Sequence, residues 1–123
     1  MIDGSFYTIV GTYDTDPLHI RREIVFRMDH VIFKAHFPDK PIAPGVCTLE
    51  IIRQLVTEVV GSEIRIPTVK NMKFLNLMTP AEGKVFAFDI QLVAQTETLY
   101  SAKATISDPE STVVKASLLC EKH

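Results

Sequence analysis

Three prolines within seven residues, Pro38, Pro41 and Pro44, stand directly before the most apolar stretch of the chain. Each ring fixes φ near −65° and removes a backbone donor, so residues 38–44 can be neither helix interior nor central strand. A rigid loop is left, and any helix has to start after it. From Val46 to Val60, Val46, Leu49, Ile52, Val56 and Val59, joined by Ile51, Leu55 and Val60, cover a broad helical face. A helix of that breadth is mostly buried, and Gly61 supplies its stop. Glu50, Gln54 and Thr57 fall at i, i+4 and i+7, a narrow polar stripe on a greasy rod.

The loop and the stripe together bring proton-transfer groups near a helix start. The first N–H groups of a helix lack intrahelical partners and carry the positive end of its dipole. Gly45 has no side chain, so a ligand oxygen can come close to its N–H. His36 titrates near neutrality. A semi-buried Glu50 with a raised pKa pairs with it as the second proton carrier. A base, an acid and a donor for a developing enolate oxygen suit proton abstraction beside a carbonyl, and elimination of water from a 3-hydroxyacyl group needs that set.

Strands are expected on both sides of the helix. Ser5 to Asp14 is a β-rich run, and Ile20, Arg22, Ile24, Phe26 and Met28 alternate with Arg21, Glu23, Val25 and Arg27. A run from Val69 to Met78 follows the helix. Phe86, Phe88, Ile90 and Leu92 then share a face, as do Tyr100, Ala102, Ala104 and Ile106, and finally Val114, Ala116, Leu118 and Cys120. Thr96-Glu97-Thr98 and Asp108-Pro109-Glu110 are turns, and Glu63 to Pro67 is the expected longer loop. An antiparallel sheet curled around one apolar helix, an α+β fold in a single domain over 1–123, satisfies this pattern. At 123 residues the chain can bury a core large enough for independent stability. A net charge of −2 with interspersed signs gives no basic stripe for nucleic acid. Apolar runs fall short of a membrane span, and the start lacks a signal-peptide pattern, so a cytoplasmic location is expected. Cys47 and Cys120 lack metal or redox spacing and are expected to be reduced, packed thiols. No metal site is expected.

The series His36-Phe37-Pro38-Asp39-Lys40-Pro41-Ile42-Ala43-Pro44-Gly45-Val46, then Glu50 and Gln54, resembles the signature of the hotdog-fold β-hydroxyacyl-acyl-carrier-protein dehydratases of type II fatty-acid synthesis. Weaker similarity runs through residues 29–35, residues 69–74, Pro80 and the end of the chain. The resemblance implies a hotdog fold, a curved antiparallel sheet wrapped around one long central helix. It implies dehydration of (3R)-3-hydroxyacyl thioesters, with His36 as the base at C2 and Glu50 as the acid at the 3-hydroxyl. Gly45, Val46 and Gln54 are then substrate-binding, with the Gly45 N–H on the thioester carbonyl. No cofactor is implied, because 4′-phosphopantetheine arrives on the acyl carrier protein. Lys34, Lys40, Arg65, Lys70 and Lys73 are the candidates to meet that acidic carrier. A homodimer or a dimer-based higher oligomer, with His36 and Glu50 from different chains in each site, is also implied. An extended path from Pro38 to Pro44 spans up to ~19 Å, which agrees with sites shared between chains.

Ala35 and Asp39 depart from the pattern, standing where the family usually has glycine. They keep open a noncatalytic partner subunit of a dehydratase pair, beside the alternative of a hotdog acyl thioesterase. Asp14-Thr15-Asp16-Pro17-Leu18-His19 resembles an element of the (R)-specific enoyl hydratases. Because alternating residues follow His19 directly, this segment is expected to be a turn leading into a strand. His30 and His123 are expected to be structural or solvated, and Arg53 either lies along the helix or meets a phosphate.

Overall fold

The computed structural model describes residues 6–30 and 45–123. Six strands, β1 (Tyr7–Thr12), β2 (His19–Phe26), β3 (Ile64–Phe74), β4 (Val85–Ala94), β5 (Leu99–Ser107) and β6 (Thr112–Lys122), and one helix, α1 (Gly45–Val60), make up the regular structure of these residues. The strands form one sheet in the order β1-β2-β4-β5-β6-β3, every neighbouring pair antiparallel. β2 and β3 follow one another in the chain yet have three strands between them in the sheet. The segment carrying α1 therefore crosses the sheet, and it buries its apolar face in doing so.

Two-residue alternation decides which side of each strand meets the helix. Ile20, Ile24, Phe86, Phe88, Ile90, Ala104, Ile106, Val114, Leu118 and Cys120 point into one core with Cys47, Ile51, Ile52, Leu55 and Val56 of the helix. Ala104 and Ala116 are register partners in the middle of β5 and β6, and Ala102 lies beside Leu118. These small side chains lower the floor of the sheet beneath the bulkier Ile, Leu and Val side chains of α1. Two ring contacts, Phe6 on Phe26 and Phe26 on Phe86, at 5.2 and 5.3 Å and steeply inclined, close the β1–β2–β4 end. This is the hotdog arrangement. Gly61 ends α1 at φ +78°, with its N–H donating to the Thr57 carbonyl at 2.9 Å.

Three expectations need correction. Ile64 to Pro67 is the beginning of β3, not a loop. Pro67 is tolerated because β3 is an edge strand, and a register shift between Arg65 and Thr68 accommodates it: three residues advance on β3 against two on β6. At its other end β3 stops at Phe74, so the run to Met78 is only partly strand. The third correction concerns Val46. The helical pattern put it on the apolar face, yet it is 68% exposed, because it lies in the first turn, outside the cover of the described sheet. The remaining strands and both turns fall where alternation put them, except that β2 stops at Phe26, short of Met28. The Asp108 carboxylate accepts the N–H groups of Glu110 and Ser111, each at 2.8 Å, and the Thr96 hydroxyl accepts those of Thr98 and Leu99.

Candidate active site

Helix α1 carries Glu50 on the second of its turns, and the side chain is only 16% exposed. Burial alone raises a carboxyl pKa, and the sequence pointed that way. The structure reverses the expectation. Arg53, three residues on, sends its Nε to Glu50 Oε2 at 3.0 Å and its Nη2 to Oε1 at 2.7 Å, a two-pronged grip. The Gln54 amide donates to the same Oε1 at 3.2 Å. The Arg53 hydrogen bonds, helped by that of Gln54, outweigh desolvation and hold the Glu50 carboxyl below the usual glutamate range. Glu50 is therefore an ionised, fully engaged carboxylate in this arrangement.

The rest of the cluster comes from other elements. Tyr7 of β1 donates its phenol proton to Gln54 Oε1 at 2.7 Å. Burial, with the negative charges of Glu58 and Glu50 nearby, pushes that phenol up to about 12, so it stays a donor. Arg53 Nη1 reaches Glu63 Oε1 at 3.0 Å and the Ile64 carbonyl at 3.2 Å. The Ile64 N–H donates to the Thr57 hydroxyl at 3.2 Å. The polar stripe of the helix is thus stitched to both sheet edges, to β1 through Gln54 and to the start of β3 through Arg53 and Thr57.

At the helix start the Phe74 ring of β3 lies over Gly45, where a Cβ would meet Cζ at 3.1 Å. The close approach that glycine permits here is made by this ring. Val46, Phe74, Leu75 and Leu77 are all at least half exposed. His36, with Lys34 and Lys40, lies outside the described residues.

The structure brings Glu50 and Gln54 into direct contact and puts Gly45 and Val46 on the first turn of the same helix. Tyr7 was not singled out in the sequence, because its partner is 47 positions away. The Arg53 contact did leave a signal: Glu50 and Arg53 are three apart on a helix, and oppositely charged residues at that spacing are neighbours. With its donors on Glu50, Glu63 and Ile64, Arg53 is not available to a phosphate.

The bland expectations hold for residues 14–19, for His30 and for the two cysteines. Asp14 pairs with Arg22, Asp16 caps the Leu18 N–H at 2.7 Å, and β2 starts at His19, so this segment is a turn into a strand. His30 packs edge-on against Phe6 at 5.4 Å. Cys47 and Cys120 are free and buried, and burial pushes each thiol up to about 11. Arg65 is paired with Glu121, at 2.7 Å from its Nε, while Lys70 and Lys73 are exposed on β3. Among the described residues no cluster of His, Cys, Asp or Glu could hold a metal ion, and no helix is long and apolar enough to cross a membrane.

The model of the ApeI-like family, the ApeI dehydratases, matches residues 13–112. The chain belongs to that family. Curated relatives carry the same chemistry in their names. A 3-hydroxyacyl-[acyl-carrier-protein] dehydratase FabZ from Clostridium acetobutylicum is 35% identical over 69 residues, 50% of this chain and 48% of that protein. FabZ of Levilactobacillus brevis is 27% identical over 93 residues, 70% and 62% of the two chains. The chain thus spans about half to three fifths of the curated relatives that it matches. Among solved structures, the dehydratase heterocomplex ApeI:P from Xenorhabdus doucetiae superimposes with a TM-score of 0.79 at 12% identity, covering 94% of this chain and 97% of that one. A hypothetical thioesterase from Streptococcus pneumoniae, solved with coenzyme A, reaches 0.65 at 16% identity over 95% and 85%. These likenesses establish the hotdog fold, which dehydratases and thioesterases share.

Proposed function

We propose that this ApeI-like chain is a (3R)-3-hydroxyacyl-[acyl-carrier-protein] dehydratase of fatty-acid or related lipid biosynthesis, acting as a cytoplasmic homodimer and needing no cofactor of its own. The observation that carries the reading is the shielded Glu50 carboxylate, held in place one turn inside the helix whose first N–H groups follow Gly45. In the elimination, His36 takes the C2 proton, and the C–H electron pair becomes the C2=C3 bond. Glu50 in its protonated form gives its proton to the 3-hydroxyl, which leaves as water. Exchange with solvent returns the proton from His36 to Glu50. The Gly45 N–H receives the thioester carbonyl as negative charge grows on it, and Val46 and Gln54 flank the acyl thioester.

Pairing of two chains is supported by β3, an edge strand among the described residues, and by the exposed Phe74, Leu75 and Leu77. The ionised state of Glu50 favours one competing reading, a thioesterase, since a carboxylate can activate water directly.

Both readings meet one experiment. His36→Ala and Glu50→Gln are expected to lower dehydration of 3-hydroxyacyl carrier substrates by about 10²–10⁴ while the circular dichroism stays native. The wild-type product is expected to be the enoyl thioester without free thiol. Thiol as the main product establishes the thioesterase instead, and undiminished activity in either variant removes the two-residue mechanism. A fold that binds the carrier but turns over nothing indicates a noncatalytic partner subunit.

A further inference from the structure

We propose that Arg53 is the positioning residue of Glu50, a clamp that fixes the aim of the carboxylate and governs when it carries a proton. The inference rests on the reading of Glu50 given above and adds a residue to it. Three features of the geometry point this way. The guanidinium meets both carboxylate oxygens, with Nε at 3.0 Å from Oε2 and Nη2 at 2.7 Å from Oε1, which leaves the carboxylate plane little freedom to rotate. The clamp is itself tethered, because Nη1 is bound to Glu63 at 3.0 Å and to the Ile64 carbonyl at 3.2 Å, at the start of β3. Gln54 braces the far side of Glu50 and is held by Tyr7 from β1. An ordinary i,i+3 surface pair has neither tether nor brace.

The charged and titratable groups around Glu50 come from three elements. Among the described residues these are Arg53 on α1, Tyr7 on β1, and Glu63 in the turn that opens β3. Arg53 is the one cation among these described groups, and Glu63 is engaged in holding it. Elimination needs the protonated carboxyl, whereas this cation favours the carboxylate. Arg53 therefore buys accurate aim at the expense of the reactive form, and the low-pH limb of the reaction should report the charge it places there. Lysine carries that charge without the planar fork, so it separates the two effects.

The test compares wild type, Arg53→Met and Arg53→Lys. The Glu50 carboxyl is followed by ¹³C NMR titration, its signal identified by loss in Glu50→Gln. In Arg53→Met the midpoint is expected to rise, and in Arg53→Lys to rise less. In dehydration of a 3-hydroxyacyl carrier thioester, Arg53→Met is expected to move the low-pH limb upward. Both variants are expected to lose about tenfold or more in kcat with KM little changed. An unmoved Glu50 midpoint in folded Arg53→Met overturns the clamp, and so does a wild-type pH profile and kcat in that variant. Should Arg53→Met fail to fold, Arg53→Lys decides: full kcat there overturns the proposal, and reduced kcat with KM little changed supports it. A wild-type protein that dehydrates no thioester while the NMR midpoint still moves in Arg53→Met sinks the assignment of function and leaves the clamp standing.

Discussion

At Glu50 two opposing effects meet, and their balance fixes how the protein responds to acid. Desolvation raises the carboxyl pKa, while the hydrogen bonds from Arg53 and Gln54 lower it and prevail. A depressed native pKa means that the folded state binds fewer protons than the unfolded one just below the ordinary glutamate value of about 4.5. The stability that Glu50 contributes is present above that value and lost as pH falls through the lower, native one. Urea midpoints measured between pH 7 and pH 3 should therefore fall less steeply for Glu50→Gln than for wild type, the two curves converging at the acid end. Parallel curves would mean that the ion pair contributes nothing to folding. The sequence placed Glu50 on a polar stripe but assigned its pKa the wrong direction. Burial can be read from apolar neighbours in sequence, whereas the geometry of a guanidinium grip depends on Glu63 and Ile64 holding the arginine from another element.

Among the elements, β2 shows how far alternation alone can be followed. Ile20, Arg22, Ile24 and Phe26 share the buried face, so an arginine with a 5% exposed side chain sits in an apolar row. It is paired with Asp14 and lies 3.8 Å from Glu58 of α1, tying the first hairpin to the helix. Both carboxylates remain partly in water, so their loss of a partner is cushioned. Arg22→Ala is expected to cost about 2 kcal/mol, mainly in stem packing and lost hydrogen bonds, and Arg22→Met to stay within ~1 kcal/mol. Urea denaturation checks the order, and an equal loss in both variants would show that the charge itself matters. The period of β2 was legible in the sequence, as were β4, β5, β6 and the helix, because each repeats one residue class at a fixed interval. β3 was only half legible. Pro67 made residues 63–67 look like a loop, and only the position of Ile64 to Pro67 at a sheet edge, a property of the whole topology, allows a strand there.

In the whole molecule the two edges of the sheet are unequal. β3 is long, carries two register shifts and ends in the exposed Phe74. β1 is short and is bent by a register shift between Ile9 and Gly11, where the Tyr13 ring and the Glu23 carboxylate lie so close to the backbone that a Cβ would meet them at 2.8 and 2.9 Å. A homodimer with sites assembled from both chains predicts complementation. Inactive His36→Ala and Glu50→Gln chains, mixed under subunit exchange, should recover toward half of wild-type activity per dimer, because one site then holds both native groups. If mass spectrometry shows exchange and no activity returns, both groups act within one chain. The inequality of the edges also bears on how such pairing ends. A sheet with two equally receptive borders can recruit neighbour after neighbour into a fibre, whereas a kinked, side-chain-roofed border refuses the next strand. In the proposed homodimer, strand addition along β3 would leave the bent β1 borders outermost, and further growth by edge pairing would stop there.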